Sequence, residues 1–166
     1  MTLPGTGMLG YSPRTVLLRD PGHLLAFGFG SGFAPVAPGT WGSLIGIIPA
    51  WWLFSWPLSV QVGVLTVLFC IGVLVCHRAA LVLGVADPKM VVFDEIVAVM
   101  VTLMFCSQTI IGFFVGFCAF RFFDIVKPWP VSLIDRCVKG GFGIMLDDVA
   151  AAIYAVGFVK IIEYYS

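Results

Sequence analysis

The chain has 166 residues, of which 60% are hydrophobic and 11% are charged. A typical soluble domain is about 45–50% apolar and about 25% charged. So little charge cannot cover a globule with polar surface, and we expect lipid around most of the chain. Nine basic and nine acidic residues balance, which leaves no positive field for nucleic acid. The length suits a single domain, 1–166, with a flexible N-terminal segment at 1–21.

Five apolar segments approach or reach the roughly 17–25 residues that a helix needs to cross a bilayer. In chain order they are 41–56, 58–76, 91–106, 110–126 and 144–162. Thr40 is the expected N-cap of the first, and Pro57 and Pro128 stop the first and the fourth. The pattern predicts an all-α, polytopic membrane helical bundle with about five membrane helices, four at the least.

A shorter apolar segment, 24–33, is too short for a span and is rich in glycine, so we predict an interfacial or re-entrant segment. Its stretch 28–32 (GFGSG) and the stretch 38–42 (PGTWG) can present backbone N–H groups to a phosphate. Ser31 and Thr40 are the predicted phosphate contacts within them. The alternative is a flexible turn without a ligand.

Basic residues are distributed unequally between the two sides of a five-span arrangement. One side has only Lys160 in its tail, and the other has seven residues: Arg14, Arg19, Arg78, Lys89, Lys127, Arg136 and Lys139. Because basic loops stay in the cytoplasm, the richer side is predicted to be cytoplasmic. The helix ends on that side are therefore expected to face the cytoplasm.

Six of the nine acids gather at the predicted cytoplasmic ends of these segments: Asp94, Glu95, Asp124, Asp135, Asp147 and Asp148. Hard carboxylate oxygens suit Mg²⁺ or Mn²⁺. Arg121 shares a helix face with the acid three residues later, and Lys127 follows one turn on, so both can bind phosphate. The cluster predicts a metal and phosphate site at headgroup depth. The alternatives are ion pairs that lock helix ends and acids that favour helix N-termini.

Other phosphatase chemistries lack their residues here. No cysteine is followed by arginine six positions later, and no DxDx[TV] motif is present. His23 and His77 are the two histidines, too few for the paired motifs of histidine-nucleophile lipid phosphatases. Chemistry on carboxylates and metal is left. His77 is a candidate proton carrier at the edge of the site, and a helix cap is the alternative.

Four segments together resemble the bacterial phosphatidylglycerophosphatase A family. They are GFGSGFAPVAPGTWGSL at 28–44, VFDE at 92–95, FRFFDIVKPWPVSLIDR at 120–136 and GGFGIMLDD at 140–148. With His77, the similarity covers about 22–165. The resemblance implies Mg²⁺-dependent removal of the terminal phosphate from phosphatidylglycerophosphate, a phospholipid substrate, to give phosphatidylglycerol at the inner membrane.

The resemblance also implies roles for individual residues. The implied metal and catalytic carboxylates are Asp94, Glu95, Asp124, Asp147 and Asp148, and the implied phosphate binders are Arg121, Lys127 and Arg136. In the mechanism we expect, Mg²⁺ held by Asp94, Glu95 and the Asp147/Asp148 pair clamps the phosphate while water attacks. A carboxylate or His77 handles the proton. A small ion-coupled transporter and a membrane scaffold subunit are the rival hypotheses, and the oligomeric state is left open.

Overall fold

The computed structural model describes residues 20–165. The predicted flexible segment, 1–21, lies almost entirely outside this range. The described part forms seven α-helices and one 3₁₀ segment, and it contains no β-strand. The helices are α1 (Pro21–Ala26), α2 (Pro38–Leu53), α3 (Leu58–Leu83), α4 (Phe93–Met104), α5 (Ile110–Val126), α6 (Val131–Cys137) and α7 (Gly140–Tyr165), and the 3₁₀ segment is Gly28–Phe33. The predicted all-α class is confirmed.

Helix α4 is the centre of the bundle. It packs against α2, α3, α5 and α7, and nine of its 12 residues are buried. A helix surrounded on every side has no exposed face, which is why its sequence is apolar all round after the first turn. The two acids of that first turn, Asp94 and Glu95, are therefore carried into the protein interior rather than onto its surface.

Glycines let the neighbouring helices approach closely. A Cβ at Gly46 of α2 would lie 2.7 Å from the carbonyl oxygen of Ile96 in α4, and one at Gly72 of α3 would lie 2.6 Å from Cε of Met145 in α7. Small residues at such crossings are typical of helices that associate in lipid, where backbone proximity and dispersion replace the hydrophobic effect.

The outside of the bundle is apolar. Large side chains such as Ile48, Leu74, Phe114 and Ile153 are more than 60% exposed, and apolar patches of this kind mark contact with a membrane or a partner. Two helices, α3 and α7, are long and apolar enough to cross a membrane, judged by length and composition, with 26 residues each. Five membrane helices are not confirmed, because α2, α4 and α5 have 16, 12 and 17 residues.

Several predicted boundaries are wrong at the helix ends. Thr40 is not the N-cap of α2, because the helix starts at Pro38, whose fixed φ and missing N–H suit a first helical position. Helix α3 runs past Cys76 to Leu83 and stops at Gly84, which has a φ of 67°. The predictions placed these helix ends at polar residues. The fixed φ of Pro38 and the positive φ of Gly84 determine the observed ends instead.

In the second half of the chain, the bounds of one helix are predicted correctly and two other predictions are corrected. Helix α5 has the predicted bounds, and the hydroxyl of Thr109 caps it by accepting a hydrogen bond from the Gly112 amide at 3.0 Å. The Gly- and Pro-rich stretch before α7 contains the short helix α6, and α7 starts at Gly140 rather than 144. As a result, Asp147 and Asp148 lie about two turns inside α7 rather than at its opening.

The segment 24–33 contains the second half of α1 and the 3₁₀ segment. It makes backbone contacts with the chain that leads into α4. The Val92 amide donates a hydrogen bond to the Ala26 carbonyl at 2.9 Å, and Gly32 lies against the backbone of Met90. Its placement at the bilayer interface stays a prediction. The packing brings the start of α2, α4 and α7 to one end of the bundle, together with the end of α5.

Candidate active site

A polar cavity of about 500 Å³ opens at this end of the bundle. The starts of α2 and α4, the end of α5, the second turn of α7 and the chain before α4 all contribute to its wall. Its charged lining residues are Asp87, Lys89, Asp94, Glu95, Arg121, Asp124, Lys127, Asp147 and Asp148. Seven of these were predicted site residues, so the structure brings most of the predicted cluster together.

Three carboxylates in the cavity lie close enough to share a cation. One oxygen from each of Asp94, Glu95 and Asp148 lies within 4.8 Å of the other two. Asp94 and Asp148 are buried, and Glu95 is partly buried. The first turn of α4 provides two of the three, and α7 provides the third at the α4–α7 contact. Carboxylates so close in surroundings of low polarity repel one another unless a positive charge lies among them.

The hydrogen bonding of these acids supports a cation site. Asp94 Oδ1, Glu95 Oε2, Asp147 Oδ1 and Asp148 Oδ2 are buried and have no hydrogen-bond partner within residues 20–165. Buried polar atoms are rarely left unpaired. A set of hard, buried, unpaired carboxylate oxygens fits a small divalent cation such as Mg²⁺. Asp94, Glu95 and Asp148 are the residues that would hold it.

Arg121 is held in place at the wall of the cavity. Its Nη1 lies 2.7 Å from Asp124 Oδ2 and 3.9 Å from Glu95 Oε1, and it contacts Ser43 Oγ at 3.4 Å. Ser43 in turn donates a hydrogen bond to the Gly39 carbonyl at 2.9 Å. Because Arg121 and Asp124 are three residues apart on one helix, their predicted common face is confirmed. The guanidinium is fixed beside the carboxylate group and can contact an anion there.

Lys127 links two acids from different helices. It caps the end of α5 in the left-handed conformation, with a φ of 43°, and it pairs with Asp147 and, at 2.8 Å, with Asp135. Burial would lower the pKa of Lys127, but its hydrogen bonds with the two acids outweigh burial and raise the pKa. The hydrogen bond from Lys127 lowers the pKa of Asp135. The ammonium therefore stays charged around neutral pH.

The charge balance of the lining shows what the cavity can accept. Six acidic side chains face three basic ones across it, and Arg121 and Lys127 are already paired with acids. An anionic ligand would be repelled by this excess of negative charge. A divalent cation among the carboxylates would reduce that repulsion, so cation and phosphate binding are expected to go together.

Two predicted site residues lie away from the cavity. His77 is exposed on α3, and its Nδ1 accepts a hydrogen bond from the Gly141 amide at 3.4 Å, beside the start of α7. This contact matches the helix-cap alternative from the sequence. Arg136 is exposed on α6. Neither residue lines the cavity within the described part of the chain.

Ser31 and Thr40 are also placed apart from the acids. Ser31 donates a hydrogen bond to the Gly28 carbonyl at 2.8 Å and lines a separate, apolar groove. Thr40 is half-buried in the first turn of α2, and its amide is bonded to the Ala37 carbonyl. The residues of this stretch that do line the cavity are Pro38 and Gly39. Phosphate binding by Ser31 and Thr40 stays a prediction.

Sequence reasoning missed several residues of the site. Asp87 and Lys89 line the cavity, although the sequence analysis counts Lys89 only as a basic residue of a loop and does not single out Asp87. Their position on the same predicted side as the acid cluster was the available signal. Ser43 orients Arg121 from another helix, and such a contact between distant segments leaves no local pattern in a single sequence.

An all-helical bundle with an apolar outside and a cavity lined by acidic and basic side chains is typical of membrane-associated proteins that act on a charged group. Residues 24–163 match the family model described as Phosphatidylglycerophosphatase A. The chain belongs to the phosphatidylglycerophosphatase A family, and the predicted resemblance is confirmed.

Two relatives carry the name of this family. One, a phosphatidylglycerophosphatase A from Escherichia coli (strain K12), is 41% identical over 155 residues, which cover 89% of this chain and 87% of the relative. The other, from Haemophilus influenzae, is 43% identical over 155 residues, with 92% and 94% covered. No solved structure matches the chain.

The close approach of Gly39 to the acids gives a testable prediction. A methyl group at Gly39 would collide with Glu95 Oε1 and would lie 3.3 Å from Arg121 Nη1, so Gly39→Ala should displace Glu95. We expect Mn²⁺, a paramagnetic substitute for Mg²⁺, to bind about tenfold more weakly, a loss of about 1.4 kcal/mol. Electron paramagnetic resonance titration of the purified variant measures the affinity.

The matched control is Gly157→Ala on α7, where a Cβ would meet no atom within 4 Å. This variant should bind Mn²⁺ like the unmodified protein. Equal affinities for both variants, at equal thermal stability, would show that Gly39 does not support the carboxylate group.

Proposed function

We propose that this chain is an Mg²⁺-dependent lipid phosphatase that hydrolyses phosphatidylglycerophosphate to phosphatidylglycerol and phosphate. The observation that carries the proposal is the group formed by Asp94, Glu95 and Asp148, whose oxygens lie within 4.8 Å of one another beside the guanidinium of Arg121. Membership of the family supports the same activity, since the relatives from Escherichia coli and Haemophilus influenzae are named phosphatidylglycerophosphatase A.

The geometry suggests a separate role in the reaction for each of these residues. When bound, the metal supplies Lewis-acid charge that polarises the phosphate and favours attack by water. Arg121, already braced by Asp124 and Ser43, contacts the phosphoryl oxygens and offsets the charge that develops on them. Lys127 holds Asp147 in the wall of the cavity and adds a second positive charge there.

Proton transfer is assigned to a carboxylate of the cavity rather than to His77. The Nδ1 atom of His77 accepts the Gly141 amide, and the ring lies outside the cavity lining. Asp147 Oδ1 is buried in the lining and has no partner among residues 20–165. A carboxylate oxygen in this position can take a proton from the attacking water if it lies within hydrogen-bond reach in the substrate complex.

Metal removal and one substitution test the central claim. Purified protein should release phosphate from phosphatidylglycerophosphate with Mg²⁺, lose this activity in EDTA and regain it when Mg²⁺ is restored. Asp94→Asn should slow the reaction at least about a hundredfold, which corresponds to about 2.7 kcal/mol of activation free energy. Colorimetric phosphate release measures all of these rates.

Glu163→Gln is the control, because Glu163 pairs with Lys160 and Ser107 near the end of α7, away from the cavity. It should keep full activity. Undiminished turnover in EDTA, or by Asp94→Asn, would contradict the metal assignment. Equal rates on phosphatidic acid would instead contradict the assignment of the headgroup.

The fork geometry of Arg121 gives a second prediction. Arg121→Lys keeps the charge but loses the planar pair of donors, so we expect kcat/KM to fall about tenfold, and Arg121→Gln should lower it about a hundredfold. Lys139→Gln, an exposed cation on the loop before α7, should change it less than twofold. Similar losses in all three variants would point to bulk surface charge instead of a fixed contact.

We further propose that α2, α3, α4, α5 and α7 cross or enter the inner membrane, with the cavity on the cytoplasmic side. The distribution of basic residues, seven on one side and Lys160 on the other, supports this orientation. The cavity residues lie at the ends of these helices that adjoin the basic loops. A lipid headgroup could then enter the cavity while its acyl chains stay in the bilayer.

Cysteine labelling tests the orientation. Cys137 is the exposed last residue of α6, and Gln108 is exposed in the turn between α4 and α5. In cells whose other cysteines are replaced by alanine, a membrane-impermeant maleimide should label Gln108→Cys from outside and Cys137 only after permeabilisation. The reverse pattern would invert the proposed topology.

A further inference from the structure

An apolar groove of about 530 Å³ runs between the 3₁₀ segment and α2. Its walls are formed mainly by Phe33, Ala34, Trp41, Leu44, Ile45 and Ile48. The four residues from α2 are spaced at i, i+3, i+4 and i+7, so they form one continuous stripe along the helix. Leu44 and Ile48 are 40% and 73% exposed, so the described chain covers this stripe only partly.

The groove begins where the polar cavity ends. Pro38 and Gly39, in the first turn of α2, line the cavity, and Trp41, two residues further along, starts the groove. From Trp41 to Ile48, the groove residues on α2, the helix rises about 10 Å, at about 1.5 Å per residue. Half the hydrocarbon core of a bilayer is about 15 Å thick. The groove therefore spans about two thirds of one leaflet, and its upper end lies one helical turn from Pro38, which lines the polar cavity.

We propose that this groove holds an acyl chain of the lipid substrate while the phosphorylated headgroup occupies the cavity. The inference rests on the proposed function and adds a lipid-tail subsite to it. Trp41, with an apolar ring and one N–H donor, lies at the junction, where a tryptophan suits the boundary between headgroup and hydrocarbon. Leu44, Ile45 and Ile48 then offer only apolar surface along the chain.

The subsite would fix the position of the phosphate as well as add affinity. A lipid held by its headgroup alone could rotate and shift along the cavity, whereas a chain lying along α2 restrains the glycerol backbone to which it is attached. Restraining a substrate in a reactive geometry speeds the reaction as well as binding it. The same helix that presents Gly39 to the acids thus aligns the lipid.

Filling the groove tests the proposal. Leu44→Trp and Ile48→Trp occupy space where both side chains are already exposed, so the fold should tolerate them. We expect KM for a long-chain phosphatidylglycerophosphate in mixed micelles to rise about tenfold. This is the loss of affinity expected when about two methylene groups of the acyl chain no longer contact an apolar surface. With a dihexanoyl substrate, too short to follow the groove, kcat/KM should stay within twofold of the unmodified enzyme.

Val62→Trp is the matched control. Val62 is 48% exposed and lines a second apolar groove, of about 250 Å³, between α3 and α4. It should leave both substrates unaffected. Proportional losses on long and short substrates in the α2 variants, or an equal KM rise in the control, would overturn the subsite.

Photo-crosslinking separates failure of the subsite from failure of the proposed function, because it needs no turnover. A phosphatidic acid with a diazirine at mid-chain, in vesicles with the full protein and Mg²⁺, should modify 41–48 several times more than 62–69. Diacylglycerol with the same diazirine should show no such preference. Equal modification of both segments by phosphatidic acid would reject the subsite even in an active enzyme. The preferential pattern in a protein that releases no phosphate would reject only the phosphatase.

Discussion

The mutual repulsion of carboxylates inside the bundle is the constraint on which the site depends. Asp94, Glu95 and Asp148 lie together within 4.8 Å because helix packing carries them there, and not because they attract one another. Their arrangement is maintained by surrounding groups: Arg121 pairs with two acids of the cavity, and Lys127 joins Asp147 to α6. Each basic side chain reduces the repulsion without removing the excess of negative charge, and this excess is what makes the cavity suitable for a cation.

Close packing of the helices makes such crowding possible. Helix α4 is buried on nearly every face. Gly46 brings α2 closer to the backbone of α4 than a side chain would allow, and Gly72 leaves room on α3 for the side chain of Met145 in α7. Gly39 extends the same principle into the site, where its missing side chain leaves room for Glu95. Packing and chemistry therefore use the same property, the absence of a Cβ, at the centre of the bundle and at its polar end.

The sequence predicts the members of the site better than the way they are held. Charges are scarce in this chain, so Asp94, Asp124 and Asp148 stand out at the ends of apolar segments, and the cavity contains all three. Helix α5 was located correctly because Thr109 and Pro128 mark its ends. Helices α3 and α7 extend beyond the predicted spans because His77 and Arg78 continue α3, and because the glycine-rich residues 140–143, predicted as loop, form the first turn of α7. The contact of Ser43 with Arg121 and the capping role of His77 depend on which helices become neighbours, which local patterns do not contain.

The link between the segment 24–33 and α4 has a mechanical consequence. The Val92 amide is bonded to the Ala26 carbonyl, and Gly32 rests on the backbone of Met90, immediately before the turn that carries Asp94 and Glu95. Backbone contacts of this kind join two segments into one cooperative unit of local opening. The segment 24–33 thus supports the first turn of α4. The positions of the carboxylates there depend on this segment as well as on the packing of the helices. A deformation of the segment 24–33 would therefore reach the first turn of α4 through these backbone contacts.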